Sequence, residues 1–471
     1  MAKTLAFYNL GCKANQYETD KMMTQAEALG CTVVSFDEPA DAYVVNSCTV
    51  TSTADHKSRQ AVRRALSNNP GSKIILTGCY AMLKPKLFDE FPNDILFLDN
   101  REKEKFGALI EQYVLGARGV PSSPPVAPPL RGSAPYALRL ARPAGSVAAR
   151  LRELVPRELP LHTSNALAKR PKLRRVRANL MIQNGCDHFC TFCVIPITRG
   201  RSRSKPLDEI VRETEALVAE GAREIVLTGI NLGSYGREVG MNLSDAVRAI
   251  AAVPGVRRVR LSSLEPQHID DTLLETILSE PKIAPYLYAP LQSGDDDILL
   301  AMKRGYTAAL YREIIDHTRR KLPNASINTD VIVGFPGETD QSFENTYRFC
   351  EEIGFTRMHI FPYSKRPHTH AARMEGPVHE TIVKARAARL QALRLKLMGQ
   401  FHRQWIGQMV SVLVEFVDPE TGLHEGMTPE YIRVFFESSE NLMGQIATVR
   451  ITQARDEDVV GELADVHKPG Q

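Results

Sequence analysis

Residues Gly185-Cys186-Asp187-His188-Phe189-Cys190-Thr191-Phe192-Cys193 place three cysteines at a C-x3-C-x2-C spacing directly behind the apolar run Ala178-Asn179-Leu180-Met181-Ile182. An apolar run that ends in a loop of thiols reads as a strand delivering metal ligands from its C-terminal end. Soft thiolates select zinc or an iron-sulfur cluster, and a structural zinc closes its tetrahedron with four protein ligands. The local count stops at three. A cubane held by three cysteines keeps one iron without a protein ligand, open to a substrate or cofactor. A zinc knuckle or a redox thiol cluster is the alternative meaning of the same spacing.

The chain of 471 residues is long enough for about two to four domains, with the apolar and charged fractions of an ordinary globular protein. No apolar run reaches the length of a membrane span. The opening Thr4-Leu5-Ala6-Phe7-Tyr8 lacks the regions of a signal peptide, so the expected compartment is the cytoplasm. Eight cysteines in such a chain are too few for a secreted disulfide scaffold and point to metal or catalysis. The net charge of +4 is unevenly spread: twelve Lys or Arg lie between Arg118 and Arg175, against Glu153 and Glu158 alone. A basic band in an otherwise mildly acidic chain suggests a polyanionic partner.

From Thr4 to about Leu115, short apolar runs alternate with helical patterns, at Thr4 to Asn9, Cys31 to Phe36, Ala42 to Asn46, Lys73 to Thr77 and Ile95 to Leu98. The alternation predicts a small α/β domain with a mostly parallel sheet. Cys12, Cys48 and Cys79 sit at or just past the C-terminal ends of these strands, the edge where open parallel sheets bind ligands. Any one of them could be a buried core residue, as Cys31 and Cys350 are expected to be. Three at equivalent strand ends, two of them beside glycine, favour a shared role.

Residues 116–171 lose periodicity and are dense in proline from Pro121 to Pro129, which predicts an extended, flexible linker. Its basic end, Lys169, Arg170, Lys172, Arg174 and Arg175, is a candidate for phosphate contacts. From Arg177, strands are expected at Ala178 to Gln183, Glu224 to Thr228, Arg258 to Ser263, Tyr286 to Leu291, Ser326 to Val333 and Thr356 to Pro362, with helices between them. Six βα units fit a partial barrel with its functional loops at the strand C-termini. His188, inside the cysteine loop, is expected to pack rather than ligate. Beyond Gln404, strands at Met409 to Phe416, Tyr431 to Phe436, Ile446 to Ala454 and Val459 to Leu463 predict a small antiparallel barrel. There Tyr431, Arg433, Phe435 and Arg450 could meet nucleic acid, or the aromatics could fill the barrel.

The C-x3-C-x2-C loop resembles the signature of radical S-adenosylmethionine enzymes. Leu10-Gly11-Cys12-Lys13-Ala14-Asn15-Gln16-Tyr17-Glu18 resembles the opening motif of the methylthiotransferases. Gly-Cys-Lys followed by Asn-Gln-Tyr-Glu is similar to the branch acting on threonylcarbamoyl-adenosine in tRNA. The isopentenyl-adenosine branch usually reads Gly-Cys-Gln-Met-Asn here, and the ribosomal-protein branch Gly-Cys-Pro-Lys-Asn. Glu425-Gly426-Met427-Thr428-Pro429-Glu430-Tyr431 resembles the TRAM domain, an oligonucleotide-binding-like module. Three positions depart from the family pattern: Ala14 for a common valine, Asp295 for serine and His368 for glycine.

The resemblance implies an α/β fold in four parts. These are an N-terminal small parallel-sheet domain over residues 2–115, the basic linker over 116–171, a partial (βα)6 radical core over 172–403, and an OB-like all-β TRAM barrel over 404–468. It implies two 4Fe-4S clusters, an auxiliary one on Cys12, Cys48 and Cys79 and a second on Cys186, Cys190 and Cys193. S-adenosyl-L-methionine is expected beside Gly229, Asn231, Ser263, Glu265, Gln292 and Gly334. No catalytic side chain is implied beyond the cluster ligands. The implied partner is the tRNA anticodon stem-loop, met by Lys172, Arg174, Arg175, Tyr431 and Arg433, with an electron donor and a sulfur source left unidentified. The expected activity is methylthio transfer to carbon 2 of threonylcarbamoyl-adenosine next to the anticodon. Alternatives are the isopentenyl-adenosine tRNA, a ribosomal protein, or a zinc-bound RNA-binding protein without catalysis.

Overall fold

The computed structural model describes residues 2–83, 91, 95–116 and 176–467. Beyond Gly116, the expected linker, with Lys172, Arg174 and Arg175 after it, lies outside the described residues. The N-terminal unit is a five-stranded sheet of β1 (Thr4–Asn9), β2 (Thr32–Val34), β3 (Ala42–Ser47), β4 (Lys73–Gly78) and β5 (Ile95–Leu98), in the order β2-β1-β3-β4-β5. Every pairing is parallel. Ala42–Ser47 is buried at all six positions, as a central strand covered on both faces must be. Cys31 and Cys350 are both core residues.

The central unit holds β6 (Arg177–Asn184), the short antiparallel β7 (Arg203–Ser204), β8 (Glu224–Gly229), β9 (Arg258–Leu261), β10 (Tyr286–Tyr288), β11 (Ser326–Val333) and β12 (Arg357–Pro362). They form the sheets β7-β6-β8-β9 and β10-β11-β12, joined by the parallel bridges Val259–Ile283 and Ser263–Tyr288. The result is the expected partial barrel of six parallel strands taken in chain order. β10 stops short of the expected Leu291 where Pro290, which lacks an N–H, interrupts the ladder. Strand parity divides the side chains: Ile225, Leu227, Val259, Leu261, Ile327 and Val331 pack in the main hydrophobic cluster with the helices. The alternate residues Glu224, Arg258, Arg260, Asn328 and Asp330 belong to the opposite face, which lines the barrel interior.

The C-terminal unit is a closed barrel of β13 (Met409–Val417), β14 (Leu423–Met427), β15 (Arg433–Glu437), β16 (Ile446–Ala454) and β17 (Val459–His467), in the order β13-β14-β15-β17-β16. The sequence pattern missed β14 because Gly426 sits in it. A Cβ there would lie 2.4 Å from the Leu413 carbonyl oxygen, so the glycine serves close strand approach rather than a turn.

Buried ions join the units. Glu224, fully buried, accepts from Arg260 Nε at 2.6 Å and Arg258 Nη1 at 3.2 Å. The same arginines donate to the barrel carbonyls of Met427, Thr428 and Pro429 at 2.7–3.0 Å. At the other interface Glu18, on the helix Lys13–Ala28, accepts from Arg199 Nη1 at 2.8 Å and from Lys103. Burial alone would raise both carboxyls, but the paired cations outweigh it and hold each at about 2.

These pairs set an acid limit. Both carboxyls ordinarily titrate at 4.5, so their contribution is complete above that pH and is lost as pH falls toward 2. Denaturant midpoints measured from pH 6 down to 3 are expected to decline chiefly below 4.5. Glu224→Ala leaves two buried guanidiniums without a counter-charge and should cost about 3–5 kcal/mol at neutral pH, with the Glu224 share of the acid decline removed and that of Glu18 retained.

Candidate active site

The cysteine loop leaves β6 through Gly185, at φ +74°, where a Cβ would meet the Arg201 carbonyl oxygen at 1.9 Å. Only glycine can make that exit. Cys186 N donates to the Gly200 carbonyl, Cys193 N to that of Cys190, and Thr191 N to that of Met302, so the loop is pinned at both ends and at its middle. Cys186 Sγ accepts from His188 N at 3.4 Å, and Cys190 Sγ accepts from Arg304 Nη1 at 3.1 Å. Arg304 also pairs with Glu265 and donates from Nε to Tyr306, whose hydroxyl donates in turn to the carbonyls of Pro290 and Leu291. His188 packs against His268, ring centroids 6.3 Å apart.

Gln183 couples this loop to the next strand end. Its Nε2 donates to the Gly185 carbonyl at 2.8 Å while its Oε1 accepts from Asn231 N at 2.8 Å. A Cβ on Gly229 would sit 3.0 Å from that same Oε1. Asn231 Oδ1 and Ser262 Oγ are buried without a protein partner, two acceptors left for a polar ligand. Of the expected cofactor residues, Gly229 and Asn231 therefore share one cradle with the cysteine loop. Glu265 reaches Cys190 through Arg304. Ser263 forms the bridge to Tyr288, and the orphaned hydroxyl belongs to its neighbour Ser262. Gln292, at φ +69°, pairs through its backbone with Asp330 and Ile332. Gly334 lies against Val383 and donates its N–H to Glu338 at 3.0 Å. Gln183, Ser262, Arg304 and Tyr306 were missed because no local pattern marks a polar residue that joins the site only through the fold.

The N-terminal cysteines also converge. Cys12 is the N-cap of the helix Lys13–Ala28. Gly11, at φ +100°, passes so close to Cys48 that a Cβ would lie 2.7 Å from its sulfur. Cys48 is electrostatically coupled to both Cys12 and Cys79. Asn100 Nδ2 contacts Cys79 Sγ at 3.8 Å and donates to the Thr198 carbonyl at 3.1 Å, on the helix Ile195–Arg199 that follows Cys193. That helix joins the two cysteine sets, and Arg199 acts electrostatically on Cys79 and Cys12.

Burial pushes the thiols of Cys48 and Cys193 up to about 12 and that of Cys186 to about 11, so each gives up its proton only to a bound cation. Among the described residues no three His, Cys, Asp or Glu side chains close to the spacing of a single metal ion. A cubane spreads its ligands more widely than one ion does. Three thiols per set, with N–H donors at Cys48, Cys186 and Cys190, suit such a cluster with one iron left open.

Residues 180–350 match the Radical SAM superfamily, and residues 4–98 match the Uncharacterized protein family UPF0004. The threonylcarbamoyladenosine tRNA methylthiotransferase MtaB of Bacillus subtilis (strain 168) is 36% identical over 96% of this chain and 94% of its own. Its counterpart in Thermotoga maritima is 34% identical over 98% of each. The chain belongs to the tRNA methylthiotransferase family. It is an enzyme of radical S-adenosylmethionine chemistry, using 4Fe-4S clusters and S-adenosyl-L-methionine. Another relative, the tRNA-2-methylthio-N(6)-dimethylallyladenosine synthase of Dictyoglomus thermophilum, is 32% identical over 96% of this chain and 97% of its own. Among solved structures, the radical S-adenosylmethionine methyltransferase TsrM of Kitasatospora setae shares the fold at TM-score 0.54 and 17% identity, covering 79% of this chain and 77% of that one.

In this methylthiotransferase Tyr431 does not lie on an open groove. It is half-buried at φ +69°, its ring 4.9–5.6 Å from Arg177, Arg260 and Arg357, between the C-terminal barrel and the core. Arg433 and Arg450 are exposed. Asp295, the departure from serine, caps the helix Asp296–Ala301 by accepting from Ile298 N, and it accepts from Asn345. His368 sits at φ +67°, so the family's glycine has been replaced where a side chain is strained.

His368→Gly should relieve about 1–2 kcal/mol of strain against about 0.5–1 kcal/mol of added chain freedom, giving an equal or slightly higher melting temperature by calorimetry. Arg304→Gln, which leaves Glu265 and Cys190 without their shared donor, should lower S-adenosylmethionine cleavage about 10- to 100-fold, measured as 5'-deoxyadenosine formed under dithionite.

Proposed function

We propose that this enzyme adds a methylthio group to carbon 2 of threonylcarbamoyl-adenosine next to the anticodon of tRNA, in the cytoplasm. The observation that carries it is the meeting of two three-cysteine sets across the helix Ile195–Arg199, in a chain that is 36% and 34% identical to two enzymes of that name. Cys186, Cys190 and Cys193 would hold one 4Fe-4S cluster, and Cys12, Cys48 and Cys79 the auxiliary one. When bound, the clusters and S-adenosyl-L-methionine supply radical formation and the sulfur and methyl groups.

The protein's own part is positioning. Gln183 fixes Gly185 and Asn231 relative to each other, and Asn231 Oδ1 and Ser262 Oγ await a polar ligand. Arg304 holds Glu265 against the cysteine loop. We assign Gly229, Asn231, Ser263, Glu265, Gln292 and Gly334 to the cofactor's surroundings, and the domain bounds 2–115, 116–171, 172–403 and 404–468. An anticodon-loop base is single-stranded enough to be splayed into such a site. The exposed Arg433, with Lys172, Arg174 and Arg175, would meet the stem-loop phosphates, whereas Tyr431 supports this surface from within.

Cys193→Ala should abolish S-adenosylmethionine cleavage, while Cys48→Ala should retain cleavage and lose thiolation of tRNA. Thiolation by the Cys48 variant would sink the auxiliary-cluster assignment. Nucleoside mass spectrometry of tRNA from cells with and without the gene should show loss of the methylthio form of threonylcarbamoyl-adenosine. Loss of the isopentenyl counterpart instead would move the enzyme to that substrate. An unchanged profile would turn the search to ribosomal proteins as substrate and to the metal content of protein purified without air.

A further inference from the structure

The barrel interior is unusually cationic. Arg177, Arg258, Arg260 and Arg357 all belong to its inner face, with Glu224 pairing Arg258 and Arg260, and Glu415 pairing Arg177 at 3.3 Å. Arg357 has no acceptor among the described residues; its guanidinium only faces the Tyr431 ring, at 5.6 Å. Lys13 joins it from the N-terminal unit. Gln16, one turn further on the same helix face, accepts from Asn179 of β6 at 3.2 Å, which presses that face against the barrel. Half-buried Lys13 lies within electrostatic reach of Tyr431, Arg177, Arg260 and Glu224 of the interior, and of His359. It too has neither hydrogen-bond acceptor nor ion-pair partner among the described residues. His359, two residues along β12 from Arg357, is exposed, so the interior is open at this level.

Two half-buried cations without an acceptor, in an open space ringed by further arginines, make an anion site. The threonine part of the substrate proposed above ends in a free carboxylate. Resting on that substrate assignment, we propose that Lys13 and Arg357 form the subsite for this carboxylate and make the enzyme selective for an acidic adenosine modification. Lys13 follows Cys12 directly, so a carboxylate held there would anchor the base close to the N-terminal cysteines. Arg357, on the last strand of the partial barrel, faces the Tyr431 ring, and both it and Lys13 act on Tyr431 and on His359. The two groups act as specificity-determining residues, because they grip the substituent and not the reacting carbon.

The test uses the full chain reconstituted with iron and sulfide, and two anticodon stem-loop RNAs. One carries threonylcarbamoyl-adenosine and the other the same nucleoside with its carboxyl capped as the methyl ester. The wild-type enzyme is expected to show a KM about 10- to 100-fold higher for the ester, the size of a lost hydrogen bond to a charged group. In Lys13→Gln and in Arg357→Gln the ratio of the two KM values should fall toward one, through a rise for the acid RNA. Iron content is measured for each variant, because Lys13 adjoins Cys12; Arg357 adjoins no cysteine and reports independently. Equal KM values for the two RNAs with wild-type enzyme overturn the subsite, as does an Arg357 variant that keeps the wild-type ratio. A Lys13 variant slowed equally on both RNAs identifies a structural role and overturns its part. Turnover of an isopentenyl-adenosine stem-loop with none of the threonylcarbamoyl one would instead overturn the substrate assignment itself.

Discussion

Glu18 reaches from the helix Lys13–Ala28 to Arg199 of the core and Lys103 of its own unit, and all three side chains are at most 8% exposed. An isolated carboxylate could not be buried there; its two cations make it possible and fix where the helix sits. Asn15, one turn before Glu18, accepts from Arg199 Nη2 at 2.6 Å and donates to the Leu10 and Ser47 carbonyls. The contact thus runs without a break from the loop before Cys12 and the strand before Cys48 to the helix after Cys193. The relative placement of the two cysteine sets depends on it. Arg366 repeats the arrangement nearby, bonding Asp55 at 2.7 Å across the same boundary.

The opposite end of the core is organised by the same physics. Glu224 neutralises Arg258 and Arg260, and the remaining donors of both arginines go to carbonyls of the C-terminal barrel. The third unit is therefore docked through backbone acceptors, which persist whatever side chains the barrel carries. Tyr431 completes the seal by laying its ring against three guanidiniums. A partial barrel whose apolar side chains face the helices needs such lids, because its interior is too polar to pack shut by itself. That polarity leaves room for a charged substrate.

Cavity size is a poor guide to the chemistry here. A hollow of about 560 Å³ lined by Asp295, Ile298, Pro336, Gly337, Asn345 and Met374 contains no cysteine and none of the orphaned acceptors. The reactive face is marked instead by strained or crowded backbone at Gly11, Gly185 and Gln292, by unpaired polar atoms and by arginines close to thiols.

Much of this was legible in the chain. The C-x3-C-x2-C loop behind an apolar run, the alternation of strand and helix patterns, and cysteines at three strand ends are local features, set by side-chain period and ligand count, and the fold class follows from them. Cys31 and Cys350 were recognisable as core by the same logic. What the chain did not disclose is everything that depends on two distant segments meeting. Arg304 at Cys190, Arg199 between the cysteine sets and Tyr431 turned inward each pair residues tens to hundreds of positions apart. Such pairs leave no periodicity to read. Burial of a charge is decided by what arrives on the other side of it, and only the tertiary structure brings the other side.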